Sequence, residues 1–378
     1  MKRNFEDLKT LMDERIAELG FSGIDCVIYQ HHQEIFRHAA GYGDMENKRA
    51  IQPGQMCNIY SGTKMITCVA GMQLVEKGKM ILSEPLHHYL PEFKDMVVKH
   101  GTFVVQPAKK PIRVVDVFTM TAGISYDLDT PHVRKLMAET GGDFNTRDLV
   151  RAIAKEPLLF EPGEGWNYSY CHDVLGALIE VISGMTFGDY LRKNIFEPLG
   201  MKDATFTLGK SKRDKLYPQY QYDSATKSVT RATDDCLGRA GTRHESGGGG
   251  LIMSADDYIL FADALACDGV GKSGARIISS RSLDLMTTPQ LSGQALADFR
   301  KMMPSPGYGY GLGVGVYFDP AASLVLLPKG SFGWGGLGGV QNLIDRENKL
   351  SYYVSQHLLH SPKSLISSRM KNVLYANL

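Results

Sequence analysis

The sequence has no C-x-x-C pair, no G-x-S-x-G, no internal repeat and no low-complexity tract. Its six cysteines, Cys26, Cys57, Cys68, Cys171, Cys236 and Cys267, are scattered along the chain. Such spacing fits reduced structural thiols in a cytoplasmic protein rather than a disulfide framework. Cys171 stands beside a motif of interest and still reads as structural. Without G-x-S-x-G the nucleophile-elbow hydrolases are excluded. No stretch approaches the about 18 consecutive apolar residues that a membrane span needs. Near the start, Phe5, Leu8, Leu11, Met12, Ile16 and Leu19 recur at helical spacing before Gly20. An amphipathic helix is expected there, not a signal peptide. An excess of one charge is missing as well, with 42 Lys+Arg against 41 Asp+Glu. Neither nucleic acid nor a membrane surface is therefore an expected partner. The densest basic run, KSKRDK at 210–215, includes an aspartate and reads as a solvated loop.

What the sequence does have is length. Its 378 residues suffice for two domains, or for one with a large insertion, and for a sizeable core. After the first helix, IDCVIYQHHQEIFRHAAGYGD predicts two strands around a His-Gln turn. QMCNIY then leads into a helix with Met65, Cys68, Val69, Met72 and Val75 on one stripe, stopped near Gly78. From about residue 82 to 244 the pattern is helical and loop-rich, with short helices in VVDVFTMTAGIS, RDLVRAIAKEPLL and DVLGALIEVISG. SADDYILFADALACDG predicts a longer helix with Ser254 as its N-cap. YGYGLGVGVYF, SLVLLP, GGVQNLID and LSYYVSQ read as consecutive antiparallel strands before a last helix. Strands at both ends with helices between them predict one sheet built from the two termini, 1–81 and 245–378. Residues 82–244 would form an inserted helical subdomain, with the active site between the two.

Two cofactor motifs fail on context. GWGGLG at 333–338 matches G-x-G-x-x-G, but a β pattern follows it where a dinucleotide site needs a helix. ACDGVGKS has Ala266 where a P-loop needs its first glycine. The pairs His31-His32 and His87-His88 carry no metal-ligand spacing and read as solvated. No cofactor and no metal is expected.

A serine three residues before a lysine occurs at Ser61-Lys64, Ser224-Lys227 and Ser368-Lys371. Context separates them. Ser224 lies in a polar turn and Ser368 in the middle of a helix, whereas Ser61 begins a buried one. Residues three apart on a helix share a face, so Lys64 can reach Ser61 Oγ. The helix N-terminus offers N–H groups and partial positive charge to an oxyanion. An apolar wall is expected to lower the proton affinity of Lys64, as a base requires. The bland alternative is a capping serine followed by an ordinary helical lysine. In FEPGEGWNYSYCHDVLG, Tyr168 precedes a helix and can relay protons beside that pair. An ordinary tyrosine has a pKa near 10, so serving as an anion at pH 7 needs about 4 kcal/mol of stabilisation. Alternatively Tyr168 packs beside Trp166 as an aromatic pair. In SFGWGGLGG, close glycines after a strand let backbone approach a ligand, and an N–H there could join that of Ser61 in an oxyanion hole. A Gly-rich hairpin is the other reading.

Taken together these segments resemble the serine β-lactamase and penicillin-binding-protein superfamily, and within it the carboxylesterases with a class C β-lactamase fold. The resemblance runs through AAGYGDMENKRAIQPGQMCNIYSGTKMITCVAGMQLVEKGKMILSEPLHHYLPEF, VVDVFTMTAGISYD, YSYCHDVLG, SGGGGLIMSADDYILFADAL and GWGGLGG, in the family's order and over nearly the whole chain. It implies an α/β (α+β) fold, an antiparallel sheet flanked by helices with an inserted helical subdomain. It implies Ser61 as the acylated nucleophile and Lys64 and Tyr168 as partners sharing the acid and base roles. The backbone N–H groups of Ser61 and Leu337 would hold the oxyanion, and Trp334, Gly335 and Gly336 would form the edge along which substrate lies. Two departures stand out. Penicillin-recognising relatives usually carry asparagine where this chain has Tyr170, and Lys-Thr-Gly where it has Trp334-Gly335-Gly336. A lysine there meets a β-lactam carboxylate, whereas tryptophan offers an apolar wall. The expected activity is hydrolysis of small, neutral carboxylic esters through an acyl-enzyme. The rivals are a β-lactamase or D-alanyl peptidase, an acyltransferase of the same fold, and a silent binder of an acyl ligand or a protein. His172 beside the motif either lines the pocket or is a satisfied or exposed histidine. The substrate is a small ester or β-lactam-like molecule, and the oligomeric state is not encoded in any motif.

Overall fold

The computed structural model describes residues 5–101, 104–209, 214–232, 241–361 and 363–378. Cys236 and residues 210–213 of the basic run lie outside them. The expected first helix spans Glu6–Leu19, opens with Glu6 and Asp7 against its positive end, and stops at Gly20, whose φ of 62° few other residues tolerate. Strands Gly23–Gln30 and Gln33–Asp44 follow as an antiparallel hairpin. Its turn is His31-His32, both with positive φ.

The hairpin is one side of an eight-stranded antiparallel sheet. In spatial order the strands are Tyr308–Tyr310, Gly315–Tyr317, Phe332–Gly333, Gln341–Asp345, Leu350–Ser355, Gly23–Gln30, Gln33–Asp44 and Arg49–Ala50. Leu350–Ser355 pairs with Gly23–Gln30, Cys26 opposite Val354, so N-terminal and C-terminal segments join at mid-sheet. Between residues 51 and 307 no described residue belongs to this sheet. The middle is helical as expected but also holds two hairpins, Val97–His100 with Val104–Pro107 and Tyr220–Asp223 with Ser228–Arg231. Two strand expectations need correction. SLVLLP forms no strand, because Pro320–Ser323 turns as a short helix and the chain after it runs irregularly. YGYGLGVGVYF is two strands, folded back on each other at Gly311–Val314.

One face of the sheet carries the Glu6–Leu19 helix packed against the C-terminal Lys363–Ala376 helix; Leu8, Met12, Ile24, Tyr352, Met370 and Leu374 form their core. On the other face the Ala255–Ala266 helix packs across the central strands. Its N-cap is Ser254, whose side chain accepts from Asp257 N–H. The helix Thr63–Glu76 lies deeper still, with every residue from Thr63 to Leu74 buried. Fully burying each of its larger apolar side chains is worth about 1.5–3 kcal/mol. Its polar side chains must then find partners, and they do so largely on the glycine-rich 247–251 segment. Thr67 Oγ1 donates to Gly247 O at 2.7 Å, and Thr63 Oγ1 accepts from Leu251 N–H at 3.2 Å. No single helix among the described residues is long and apolar enough to cross a membrane.

Candidate active site

Strand Met56–Asn58 pairs with Ile252–Ser254 and delivers the chain to Tyr60, which has a φ of 46°. A tyrosine in that region is strained by about 1–3 kcal/mol and must be held by its surroundings. Its hydroxyl is anchored on Gln219 Oε1 at 3.0 Å. Ser61 therefore sits in a tight 3-10 turn, Tyr60–Gly62, rather than in a strand or loop, at the mouth of the buried helix.

The expected constellation assembles around it. The Tyr168 hydroxyl donates to Ser61 Oγ at 2.5 Å, and Lys64 Nζ donates to the same oxygen at 3.3 Å. Lys64 also donates to Gly248 O at 2.5 Å, and its Nζ lies 4.5 Å from the centre of the Tyr168 ring. Trp334 stacks on Tyr168 at 6.0 Å and donates its indole N–H to the Tyr168 oxygen at 3.3 Å. Trp166 does pack beside Tyr168, at 6.2 Å, so the aromatic contact and the hydrogen bond to Ser61 are present together.

The electrostatics of Lys64 reverse the sequence expectation. Burial does oppose its charge, but Tyr168, Tyr126 and Asp173 outweigh burial and push its pKa above the ordinary lysine value. The apolar wall assumed from sequence is in fact lined by oxygen atoms. Lys64 is accordingly an ammonium near neutral pH.

A cavity of about 1400 Å³ opens over Ser61. Tyr126, Leu128, Tyr170, Phe299, Met303 and Trp334 line it, together with Gly335 and Leu337. Tyr170 packs its ring at a tilt against Tyr126, centroids 4.6 Å apart, where the penicillin-recognising pattern would place asparagine. The Leu337 N–H makes no hydrogen bond among the described residues. Gly336 needs a correction: it does not line the cavity. A Cβ on it would lie 2.2 Å from Ile59 O, and its N–H donates to Val340 O. It lets the strand edge press against the segment leading into Ser61, and Trp334 and Gly335 are left on the cavity wall.

His172 does not line the cavity either. It is fully buried against the Thr63–Glu76 helix, with Nε2 against Phe118 O at 3.2 Å and Cys68 Sγ at 3.5 Å. Burial, helped by the Lys64 charge, lowers its pKa to about 3. His32 is not simply solvated: its ring and backbone N–H both bond the buried Asp263 carboxylate. Cys267 joins them, with the three ligand-type atoms within 4.8 Å of one another, a grouping that sequence spacing did not reveal.

Sequence reasoning missed Tyr126, Asp173 and His244. Tyr126 and Asp173 lie inside the quoted blocks TAGISYD and YSYCHDVLG, and His244 lies two residues before SGGGG. Tyr126 and Asp173 act on Lys64 and His244 bonds Asp173; nothing in their spacing announces this, because each arrives on a separate segment.

The comparisons bear on the fold and the family. Esterase EstB of Burkholderia gladioli is 26% identical over 359 residues, covering 91% of this chain and 88% of that protein. The lovastatin esterase of Penicillium rubens is 28% identical over 316 residues, 78% of this chain and 72% of that one. Among solved structures, EstCE1, described as a hydrolase with promiscuous acyltransferase activity, superposes with a TM-score of 0.82 at 22% identity, covering 98% of each chain. The unliganded selenomethionyl simvastatin synthase of Aspergillus terreus also reaches 0.82, at 21% identity and the same coverage. These two show a shared fold, mixed helices on an antiparallel sheet. The family description Beta-lactamase matches residues 8–376, nearly the entire sequence, and on that extent the chain belongs to the Beta-lactamase family.

Proposed function

We propose that the protein is a serine hydrolase that cleaves small, neutral carboxylic esters through an acyl-enzyme on Ser61. The observation that carries this reading is the contact of Ser61 Oγ with both Tyr168 Oη and Lys64 Nζ at the floor of an aromatic cavity. With Lys64 holding its proton, Tyr168 is the base. The ammonium and the Trp334 N–H both stand beside the oxygen that must carry its charge.

Acylation needs Tyr168 without the proton it donates in the resting contact; once that proton has gone to solvent, the Ser61 proton passes to Tyr168 Oη as Oγ bonds the ester carbon. The carbonyl pair moves onto oxygen, held by the N–H groups of Ser61 and Leu337. Collapse breaks the bond to the alcohol, which takes the proton from Tyr168. Water repeats the sequence on the acyl-enzyme, releasing the acid and restoring Ser61.

Charge selects the substrate. Among the described residues lining the cavity the one charged side chain is Lys371, which donates to Tyr308 at 3.0 Å. No lysine stands at Trp334 to meet a β-lactam carboxylate, which supports esters over β-lactams. The active site would lie between the sheet body, 1–81 and 245–378, and the helical 82–244 segment. Five described cysteines are free thiols, in keeping with a cytoplasmic setting. A second reading, acyl transfer, is favoured by the cavity volume, which leaves room for an acceptor alcohol beside a short acyl group.

Intact-protein mass after reaction with a fluorophosphonate, and turnover of p-nitrophenyl butyrate, test the proposal. One adduct on the wild type and none on Ser61→Ala is expected, with turnover lowered about a thousandfold or more. No adduct and unchanged turnover would refute it. Faster capture of the butyryl group by an added alcohol than by water would select the transferase reading.

A further inference from the structure

Beside Lys64 lies a set of buried polar groups that the steps above leave unused, of which Ser246 also borders the cavity. Asp173 is fully buried. Its Oδ1 accepts from Ser246 Oγ at 2.6 Å and pairs with His244 Nε2 at 3.1 Å. His244 is itself buried to the same degree. Asp173 Oδ2 has no hydrogen-bond partner among the described residues. A Cβ built on Gly248 would lie 2.4 Å from that oxygen and 3.4 Å from Lys64 Nζ. The two groups thus flank Gly248, inside the about 4–6 Å over which an opposite charge favours ionisation. The glycine run is needed for this approach: a Cβ on Gly247 would meet His172 O at 2.2 Å.

A buried carboxylate with one bare oxygen is costly, and a core that needed only shape would do better with asparagine. Burial does raise its pKa, yet His244, Ser246 and Lys64 outweigh burial and hold it below the ordinary carboxylate value. The charge is kept where it faces a lysine.

We infer that Asp173, held by His244 and Ser246, is a positioning residue whose fixed negative charge keeps Lys64 an ammonium through the reaction cycle, so that Tyr168 rather than Lys64 accepts the Ser61 proton. This rests on the acyl-enzyme reading. Once Tyr168 has taken the proton it is neutral, and Lys64 has lost its nearest counter-charge while still out of water. The other titratable groups that act on it are Tyr126 from the loop after Val114–Thr119, Cys68 from its own helix and His172 from the Cys171–Ser183 helix. Burial keeps Cys68 a thiol and His172 neutral, so neither supplies a standing anion. Asp173 does, and it does not take part in the proton transfer.

The test is the rate of fluorophosphonate labelling against pH for the wild type, Asp173→Asn and His244→Gln, with near-ultraviolet circular dichroism as the check on folding. The wild type is expected to label at full rate in brief pH jumps up to about pH 10, the ordinary lysine range. Asp173→Asn should label about 10–100-fold more slowly at pH 7 and lose activity at an alkaline pH at least about one unit lower, with KM for p-nitrophenyl butyrate unchanged. His244→Gln keeps an N–H donor toward Asp173 and should stay within about threefold of wild type. A folded Asp173→Asn with an unmoved alkaline limb overturns the inference. So does a wild-type limb below pH 9, a result that does not depend on whether any variant folds. Ser61→Ala separates the two proposals: labelling that survives it removes the acyl-enzyme reading, whereas an unmoved limb in Asp173→Asn removes only the role of Asp173.

Discussion

Two fully buried bases stand on neighbouring helices, and the fold keeps them in opposite protonation states. Lys64, at the front of Thr63–Glu76, is surrounded by two phenols, a carboxylate, a hydroxyl and a backbone carbonyl. Its charge survives the loss of water. His172, at the start of Cys171–Ser183, meets a thiol and one carbonyl, and its Nδ1 has no partner among the described residues. Its charge does not survive, and the ammonium nearby adds to the effect. Burial alone therefore does not set protonation in this core; what each base faces decides it. The front of the Thr63–Glu76 helix is built to hold charge and the back to exclude it.

Removing the front charge should have the largest effect. Lys64→Met is expected to lower kcat for p-nitrophenyl butyrate by about 10³-fold or more. Because Asp173 then loses the ammonium it faces and keeps only His244 and Ser246, a stability loss of up to about 3–5 kcal/mol should accompany it in urea unfolding. Adding Asp173→Asn should recover much of that stability and none of the turnover. Recovery of both would show that Lys64 matters only as a structural counter-ion.

The back of the helix should show itself in acid. The folded-state pKa of His172 is about 3 and that of His357, lowered by burial, about 4. Both lie below the unfolded value, so the folded state binds fewer protons and stability is complete only above about pH 6.5. It should fall as pH drops through the window from 6.5 to these values, by roughly 3 kcal/mol per histidine at pH 4. Urea midpoints between pH 7 and 4 measure this. His172→Gln should flatten about half of the slope, and an unchanged slope would mean that His172 is already protonated in the fold.

How much of this was legible beforehand follows from how each contact is made. Ser61 and Lys64 share a helix face, and one helical turn can be read from spacing. Tyr168 entered through motif resemblance, and the terminal strands through alternating apolar residues. The failures were contacts across distant segments. Asp173, with His244 bonded to it, and Gly248 come to the surroundings of Lys64 from separate parts of the chain, so those surroundings looked apolar until the fold assembled them. SLVLLP looked like a strand because its residues are β-formers, but Leu324 and Leu326 are exposed, which a buried strand would not permit. Gly336 was read as a ligand contact when its lack of a side chain serves the close passage of Ile59.

Smaller changes at the front sharpen the comparison further. Trp334→Phe keeps the stacked ring but removes the N–H donated to Tyr168. Losing one hydrogen bond of this kind, worth about 0.5–1.5 kcal/mol, should lower kcat by up to about tenfold. A drop of a hundredfold would mean that the indole holds Tyr168 in place as well as stabilising its charge.

Tyr126 should have the smallest effect, for a reason that returns to Lys64. Its ring centre lies 5.6 Å from Lys64 Nζ, and the ring meets Tyr168 edge-on and Tyr170 at a tilt. Tyr126→Phe removes one of several oxygens facing the ammonium and leaves the ring, so kcat should fall by no more than about threefold. Tyr126→Leu also removes the aromatic stack, worth about 0.5–1.5 kcal/mol, and should raise KM while moving kcat little further. If the phenylalanine variant instead loses as much activity as Lys64→Met, the charge at the front rests on Tyr126 rather than on Tyr168 and Asp173, and the contrast with His172 would have a single phenol as its cause.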